Sequence, residues 1–138
     1  MIANRSSPAA TVIPVLAYAD VAEATEWLCR AFGFALRLRI GTHRAQLVFG
    51  DGAVIVTDME RDADARRPDY THSVHVRVRD AAEHHARAIG AGARIIRPPT
   101  DYPFGERQYT VDDLGGHRWT FSQSIADVDP ASWDGTAP

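Results

Sequence analysis

A chain of 138 residues, 45% hydrophobic and 24% charged, with a formal net charge of −3, has room for one globular core and not for two ordinary domains. Its mild acidity offers no basic surface for nucleic acid or an anionic membrane, and no apolar run reaches the roughly 18 residues that span a bilayer. The single Cys29 cannot close an internal disulfide, and residues 1–10 lack the apolar stretch of a signal peptide, so a cytoplasmic location is expected.

In chain order, residues 1–10 read as a flexible arm. Val12 to Tyr18 is an apolar strand, and Asp20 follows it with Glu23 three residues on. That is an Asp version of the capping box, in which the carboxylate takes free N–H groups of the first helical turn. Val21, Ala24, Leu28, Ala31 and Phe32 then recur at helical spacing, and Gly33 supplies a stop. Strands are predicted over Ala35–Ile40, Ala45–Phe49 and Ala53–Asp58, with turns at Gly41-Thr42-His43 and Gly50-Asp51-Gly52. These make a first module over residues 11–59. The charged, aperiodic stretch Glu60–Asp69 reads as part of a linker over 60–71.

The same order then repeats. Ser73–Val78 is a strand, Asp80 and Glu83 repeat the cap, and a short helix with Ala82, Ala86 and Ile89 inward ends at Gly90-Ala91-Gly92. Strands follow at Ala93–Arg97, Arg107–Val111 and His117–Gln123. A longer loop, Pro98–Glu106, and a turn, Asp113–Gly116, separate them. The second module spans 72–124, and 125–138 is a tail. Each half is β-α-β-β-β, which makes the fold class α+β.

Strand alternation divides the side chains into two sets. Val74, Val76 and Val78 oppose Ser73, His75 and Arg77; Trp119 and Phe121 oppose Arg118, Thr120 and Ser122. Gln46 and Val48 oppose Ala45, Leu47 and Phe49, while Gln108 and Thr110 oppose the better core residues Tyr109 and Val111. The apolar sets belong under the helices. The mixed sets either face water, as one side of an antiparallel sheet often does, or form a wall suited to a small, partly polar organic ligand.

The doubled strand-Asp-helix signature and the run Tyr109-Thr-Val-Asp-Asp-Leu-Gly-Gly-His-Arg-Trp-Thr-Phe121 resemble the vicinal-oxygen-chelate superfamily, in its glyoxalase-like and bleomycin-resistance-like branch. Leu114 stands where a proline is common in that final hairpin. The resemblance covers roughly residues 11–124. It implies two modules forming a curved, barrel-like mixed sheet around a trough. It also implies, in the family's enzymes, a divalent metal held by the first and last strands of each module. Carried over residue by residue, the four ligand positions fall at Ile13, at Ile55 or Val56, at Ser73 and at Thr120. None supplies the imidazole or carboxylate such a metal wants. Metal-dependent glyoxalase and dioxygenase chemistry is disfavoured, and no cofactor is indicated. A shifted cluster of His75, Asp58 and His43 is the one alternative metal set.

The resemblance therefore implies a protein that binds a small organic molecule and sequesters it, as bleomycin-resistance proteins do. The alternative is a glyoxalase-like lyase or isomerase. Candidate ligand-binding residues are Ile13, Val15, Gln46, Val48, Ser73, His75, Gln108, Thr110, Arg118, Thr120 and Ser122. His75 is the best single candidate, as a hydrogen-bonding group or base. A solvated strand histidine reads its position equally well. His117 is assigned to turn structure, His84 and His85 to a solvated helix face, Trp27 and Trp119 to the core or an interface, and Cys29 to an inert helix site. Glu106 and Arg107 are expected to pair at a strand end. Tyr102, Pro103 and Phe104 form either a lid or a subunit contact. Open strand edges favour a homodimer.

Overall fold

The computed structural model describes residues 5, 6, 8–59, 72–133 and 135. The chain divides into two compact units, Met1–Thr71 and His72–Pro138. The first holds β1 (Val15–Tyr18), α1 (Val21–Phe32), β2 (Ala35–Ile40), β3 (Arg44–Phe49) and β4 (Gly52–Asp58). The second holds β5 (Val74–Arg77), α2 (Ala81–Gly90), β6 (Arg94–Tyr102), β7 (Glu106–Asp112) and β8 (Arg118–Ser124), with a 3-10 turn at Pro130–Trp133. Each unit is a four-stranded mixed sheet with one helix, in the orders β1-β4-β3-β2 and β5-β8-β7-β6. The first strand of each unit runs parallel to its last, and the remaining pairs are antiparallel. The α+β class and the doubled βαβββ order read from the sequence are what the chain adopts. The predicted linker 60–71 lies outside the described residues.

Both helices begin as their caps dictate. The Asp20 side chain accepts a hydrogen bond from Glu23 N at 3.0 Å, and the Asp80 side chain accepts one from Glu83 N at 3.1 Å. Gly33, with φ 84°, ends α1 in the left-handed conformation that glycine adopts most cheaply, and its N–H donates to Cys29 O at 3.2 Å. In the first unit Leu16, Ala45, Leu47, Val54 and Val56 share one face of the sheet and are buried with Leu28, Ala31 and Phe32 of α1. Trp27 joins that core edge-on to Phe32, with ring centroids 5.1 Å apart.

Three elements depart from the sequence reading. β1 starts at Val15, and Val12 is 80% exposed. Pro14 has no N–H to lend a strand, and only its carbonyl pairs, accepting from Ile55 N at 2.9 Å. On α2 the expected inward residues Ala82, Ala86 and Ile89 are exposed. The inward stripe is instead buried Ala81 and Ala88 with half-buried His84 and His85, spaced i, i+3, i+4 and i+7. The imidazole rings serve as flat packing surfaces. His84 lies 4.1 Å from Phe121 and 5.7 Å from Tyr109 between centroids, and His85 lies edge-on to Tyr109 at 5.2 Å. The Tyr109 hydroxyl meets His84 Nδ1 at 2.5 Å, so the buried phenol keeps a partner at its polar end.

Third, β6 continues through Pro98 and Pro99 to Tyr102, where a long loop was expected. An edge strand has one neighbour, so proline's missing donor costs it little there. β6 lies at the sheet edge and is irregular between Arg97 and Thr100. The loop shrinks to Pro103, Phe104 and Gly105. Tyr102 stacks on Phe104 at 5.3 Å, Phe104 meets Trp133 at 5.8 Å, and the Arg97 guanidinium donates to the Tyr102 hydroxyl at 2.6 Å. Gly105, φ 87°, has to be glycine: a Cβ there would lie 2.1 Å from Ala126 O.

The β7–β8 hairpin closes on one buried carboxylate. Asp113 Oδ1 accepts from Gly115 N at 2.9 Å and His117 N at 3.0 Å, and Oδ2 accepts from Trp119 Nε1 at 3.0 Å. Removing it strands a buried indole N–H and two turn amides. Asp113→Ala should therefore lower unfolding free energy by about 3 kcal/mol, against about 1 kcal/mol for Asp20→Ala or Asp80→Ala. Urea denaturation of the three variants checks this, and equal losses would contradict the ranking.

Candidate functional site

In the second unit the strand register decides which side chains share a face. His75 stands beside Thr120, which stands beside Thr110; Arg77 stands beside Ser122, which stands beside Gln108. Their sequence neighbours Tyr109, Val111, Trp119 and Phe121 point the other way and are fully buried beneath α2. The expected grouping of His75, Gln108, Thr110, Arg118, Thr120 and Ser122 on one face is how these side chains are placed. Arg118 sits at the hairpin end, held by two hydrogen bonds to Asp112 at 3.0 and 3.3 Å. Ser73 precedes β5 and is exposed.

The centre of this face is Glu106, which the sequence reading had assigned to an ion pair with Arg107. Adjacent residues on a strand point to opposite faces, and Arg107 instead holds Asp101 through hydrogen bonds of 2.6 and 3.0 Å. Glu106 Oε1 accepts from the Ser122 hydroxyl in a short contact and from Gln108 Nε2 at 3.3 Å, and His75 Nε2 lies 3.8 Å away. Thr110 and Thr120 hydroxyls meet at 3.4 Å. The shared parity of Glu106, Gln108 and Thr110 is the sequence signal that would have found it. The Ser122 hydroxyl holds the Glu106 carboxyl below its ordinary value against the opposing effect of partial burial, and Gln108, His75 and Arg77 add to the lowering. A carboxylate, an imidazole, an amide and three hydroxyls in one row offer both donors and acceptors to a polar organic group.

The first unit's corresponding face is mostly apolar. Val15 pairs with Ile55, and Ile55 with Gln46. Val48 is flanked by Ala35 and Ala53. Ile13 lies just before β1, half-buried. Gln46, at 2% exposure, is the buried polar group of this wall. A bulge in β2 sets both Arg37 and Leu38 against it. The Arg37 guanidinium donates to Gln46 Oε1 in a short contact, and to Arg5 O at 3.1 Å; Gln46 Nε2 donates to Ser6 O at 2.7 Å. Arg5, Arg37 and Leu38 line a cleft of about 490 Å³. Arg37 was not among the expected site residues, because strict alternation along β2 does not anticipate the bulge.

The metal positions can now be assigned by face. Ile55 shares the wall with Gln46, whereas Val56 is in the core, so the aliphatic at the second position is Ile55. Ile13, Ile55, Ser73 and Thr120 do not fit a divalent ion, which wants imidazole or carboxylate donors. Among the described residues no three His, Cys, Asp or Glu side chains gather in a set that could hold one. None of the described helices is long and apolar enough to cross a membrane.

The model of the Glyoxalase/Bleomycin resistance protein/Dioxygenase superfamily matches residues 11–121. Among solved structures, TioX from Micromonospora sp. ML1 is 40% identical, with 83% of this chain and 98% of that one covered and a TM-score of 0.70. A glyoxalase-related enzyme from Fulvimarina pelagi is 18% identical, covering 82% and 86%, TM-score 0.67. A lactoylglutathione lyase from Agrobacterium tumefaciens is 17% identical, covering 86% and 96%, TM-score 0.64. At those lower identities the likeness is one of fold. No curated protein matches in sequence.

A group whose folded pKa is depressed stabilises the fold above its unfolded value and loses that contribution as pH falls through the folded one. Glu106 is such a group, with an ordinary value of 4.5. The Tm advantage of the native chain over Glu106→Gln should be full near about pH 7 and shrink as pH drops toward about 3. Thermal melts across that range check it, and a constant difference would contradict it.

Proposed function

We propose that this chain, which belongs to the glyoxalase/bleomycin resistance protein/dioxygenase superfamily, is a small-molecule-binding member that works without the family's metal. It holds an organic compound, such as a drug or natural product, and sequesters it. One observation carries the reading. The positions that would ligate a metal hold Ile13, Ile55, Ser73 and Thr120, while in the second unit a polar row of His75, Glu106, Gln108, Thr110, Thr120 and Ser122 faces away from that unit's core. Fold alone does not choose between binding and catalysis, but side-chain chemistry bears on it, and this donor set suits hydrogen bonding to an organic ligand.

The proximity of His75 to Glu106 supports a second reading, a glyoxalase-like lyase or isomerase in which His75 acts as the base without metal. Thermal-shift screening against glycopeptide, thiopeptide and aromatic natural products separates the two. A binder gains Tm by mass action, about 2.7 kcal/mol of stability at a hundredfold excess over Kd. His75→Ala and Gln108→Ala should each reduce the shift. Turnover of the glutathione–methylglyoxal adduct would favour catalysis instead, and a flat panel with no turnover would contradict both.

The chain is further proposed to act as a homodimer. The edge strands β2 and β6 carry exposed Leu36, Leu38 and Ile96, and such edges favour pairing. Sedimentation should give twice the 15.2 kDa chain mass, and a monomer at micromolar concentration would contradict this.

A further inference from the structure

We propose that Arg37 and Gln46 form a clamp for amide-type carbonyl groups. The chain's own N-terminal segment fills it at rest, and a ligand bearing such carbonyls displaces that segment. The inference rests on the reading of this protein as a small-molecule binder and names the ligand chemistry for the first unit's face.

Three features of the geometry support it. Gln46 is a primary amide at 2% exposure in a wall of Val15, Ile55, Leu38 and Val48. A buried amide in such a setting needs partners on both its oxygen and its nitrogen. Its oxygen is taken by Arg37, which fixes the amide so that Nε2 points outward as a donor. Two further donors, Gln46 Nε2 and Arg37 Nη2, donate to the backbone carbonyls of Ser6 and Arg5, at 2.7 and 3.1 Å.

Consecutive peptide carbonyls therefore define what the clamp accepts. The segment that supplies them is joined to β1 by the stretch that ends at Pro14 and belongs to no strand of the sheet. Such a tether gives an effective concentration on the order of millimolar. A ligand that buries apolar surface along Leu38 and Val15 as well as offering two carbonyls can outcompete it. A ligand without carbonyls leaves the donors unsatisfied and does not.

Trypsin tests the clamp on the full chain, because the bond it cuts after Arg5 contains the clamped carbonyl. Release of the fragment Met1–Arg5, followed by mass spectrometry, tracks the population of the undocked segment when docking is fast. Arg37→Ala should speed release about tenfold, the equivalent of one hydrogen bond to a charged group. Gln46→Met, which keeps the volume and removes the donor, should speed it several-fold; it provides a second test if the first variant folds poorly. In the native chain N-acetylalanyl-alanine N-methylamide at about 100 mM, well above the tether's effective concentration, should also speed release. It should have no further effect on Arg37→Ala.

Unchanged release in both variants overturns the clamp. Faster release in the variants without any response to the capped dipeptide overturns the carbonyl assignment. Neither result depends on the natural-product screen. A screen hit with unchanged trypsin rates would thus leave the binding reading standing and remove this one.

Discussion

Parity set by one parallel strand pair in each unit governs everything else in the molecule. A β-strand has a side-chain period of two, so shifting its register by one residue exchanges its faces completely. In the second unit the pairing of Val74 with Trp119, and hence of His75 with Thr120, is that decision. It commits Trp119, Phe121, Tyr109 and Val111 to the core and leaves Thr120, Ser122, Thr110 and Gln108 on the opposite side. The buried Asp113 secures the choice. It bonds both the turn amides and the indole of Trp119, so a slip of β8 would tear the carboxylate from a side chain it can reach in only one register.

What the sequence made legible follows from this. Alternation in Ser73–Val78 and in Arg118–Gln123 is strict, and every face assignment drawn from it matches the register. The caps at Asp20 and Asp80 are local devices with local signals, and they occur where the residues suggest. The unread parts are those where a residue's chemistry has two uses. His84 and His85 are assigned to water because histidine is polar, yet at the spacing Ala81, His84, His85, Ala88 they stand half-buried between two buried alanines. The aromatic character of the rings decided the outcome. Pro98 and Pro99 signalled a loop, and the edge position of β6 removed the usual objection to proline in a strand.

The candidate site was half legible for a related reason. The polar row of the second unit follows from alternation alone, save for Glu106, which proximity to Arg107 disguised. Arg37 and the carbonyls of Arg5 and Ser6 could not be read at all. A bulge breaks the period on which alternation rests, and a contact across thirty-two positions leaves no local trace.

Each unit's polar face would place the same demand on the ligand proposed for it. On the second unit the Glu106 oxygen that faces the row is already engaged by Ser122 and Gln108. On the first, Gln46 and Arg37 are engaged by the chain's own backbone. Polar groups arranged in this way give little net affinity, because each new hydrogen bond replaces one that existed. They exclude instead, since a molecule that cannot take over those bonds leaves buried groups unpaired. Under the proposed binding function, affinity would then come from apolar area, with Val15, Leu38 and Ile55 as its source on the first face, at roughly 25 cal/mol per Å² covered. A wall built this way would, in the proposed binder, separate two tasks: hydrocarbon supplying the grip, and the pre-engaged polar groups setting which compounds are admitted.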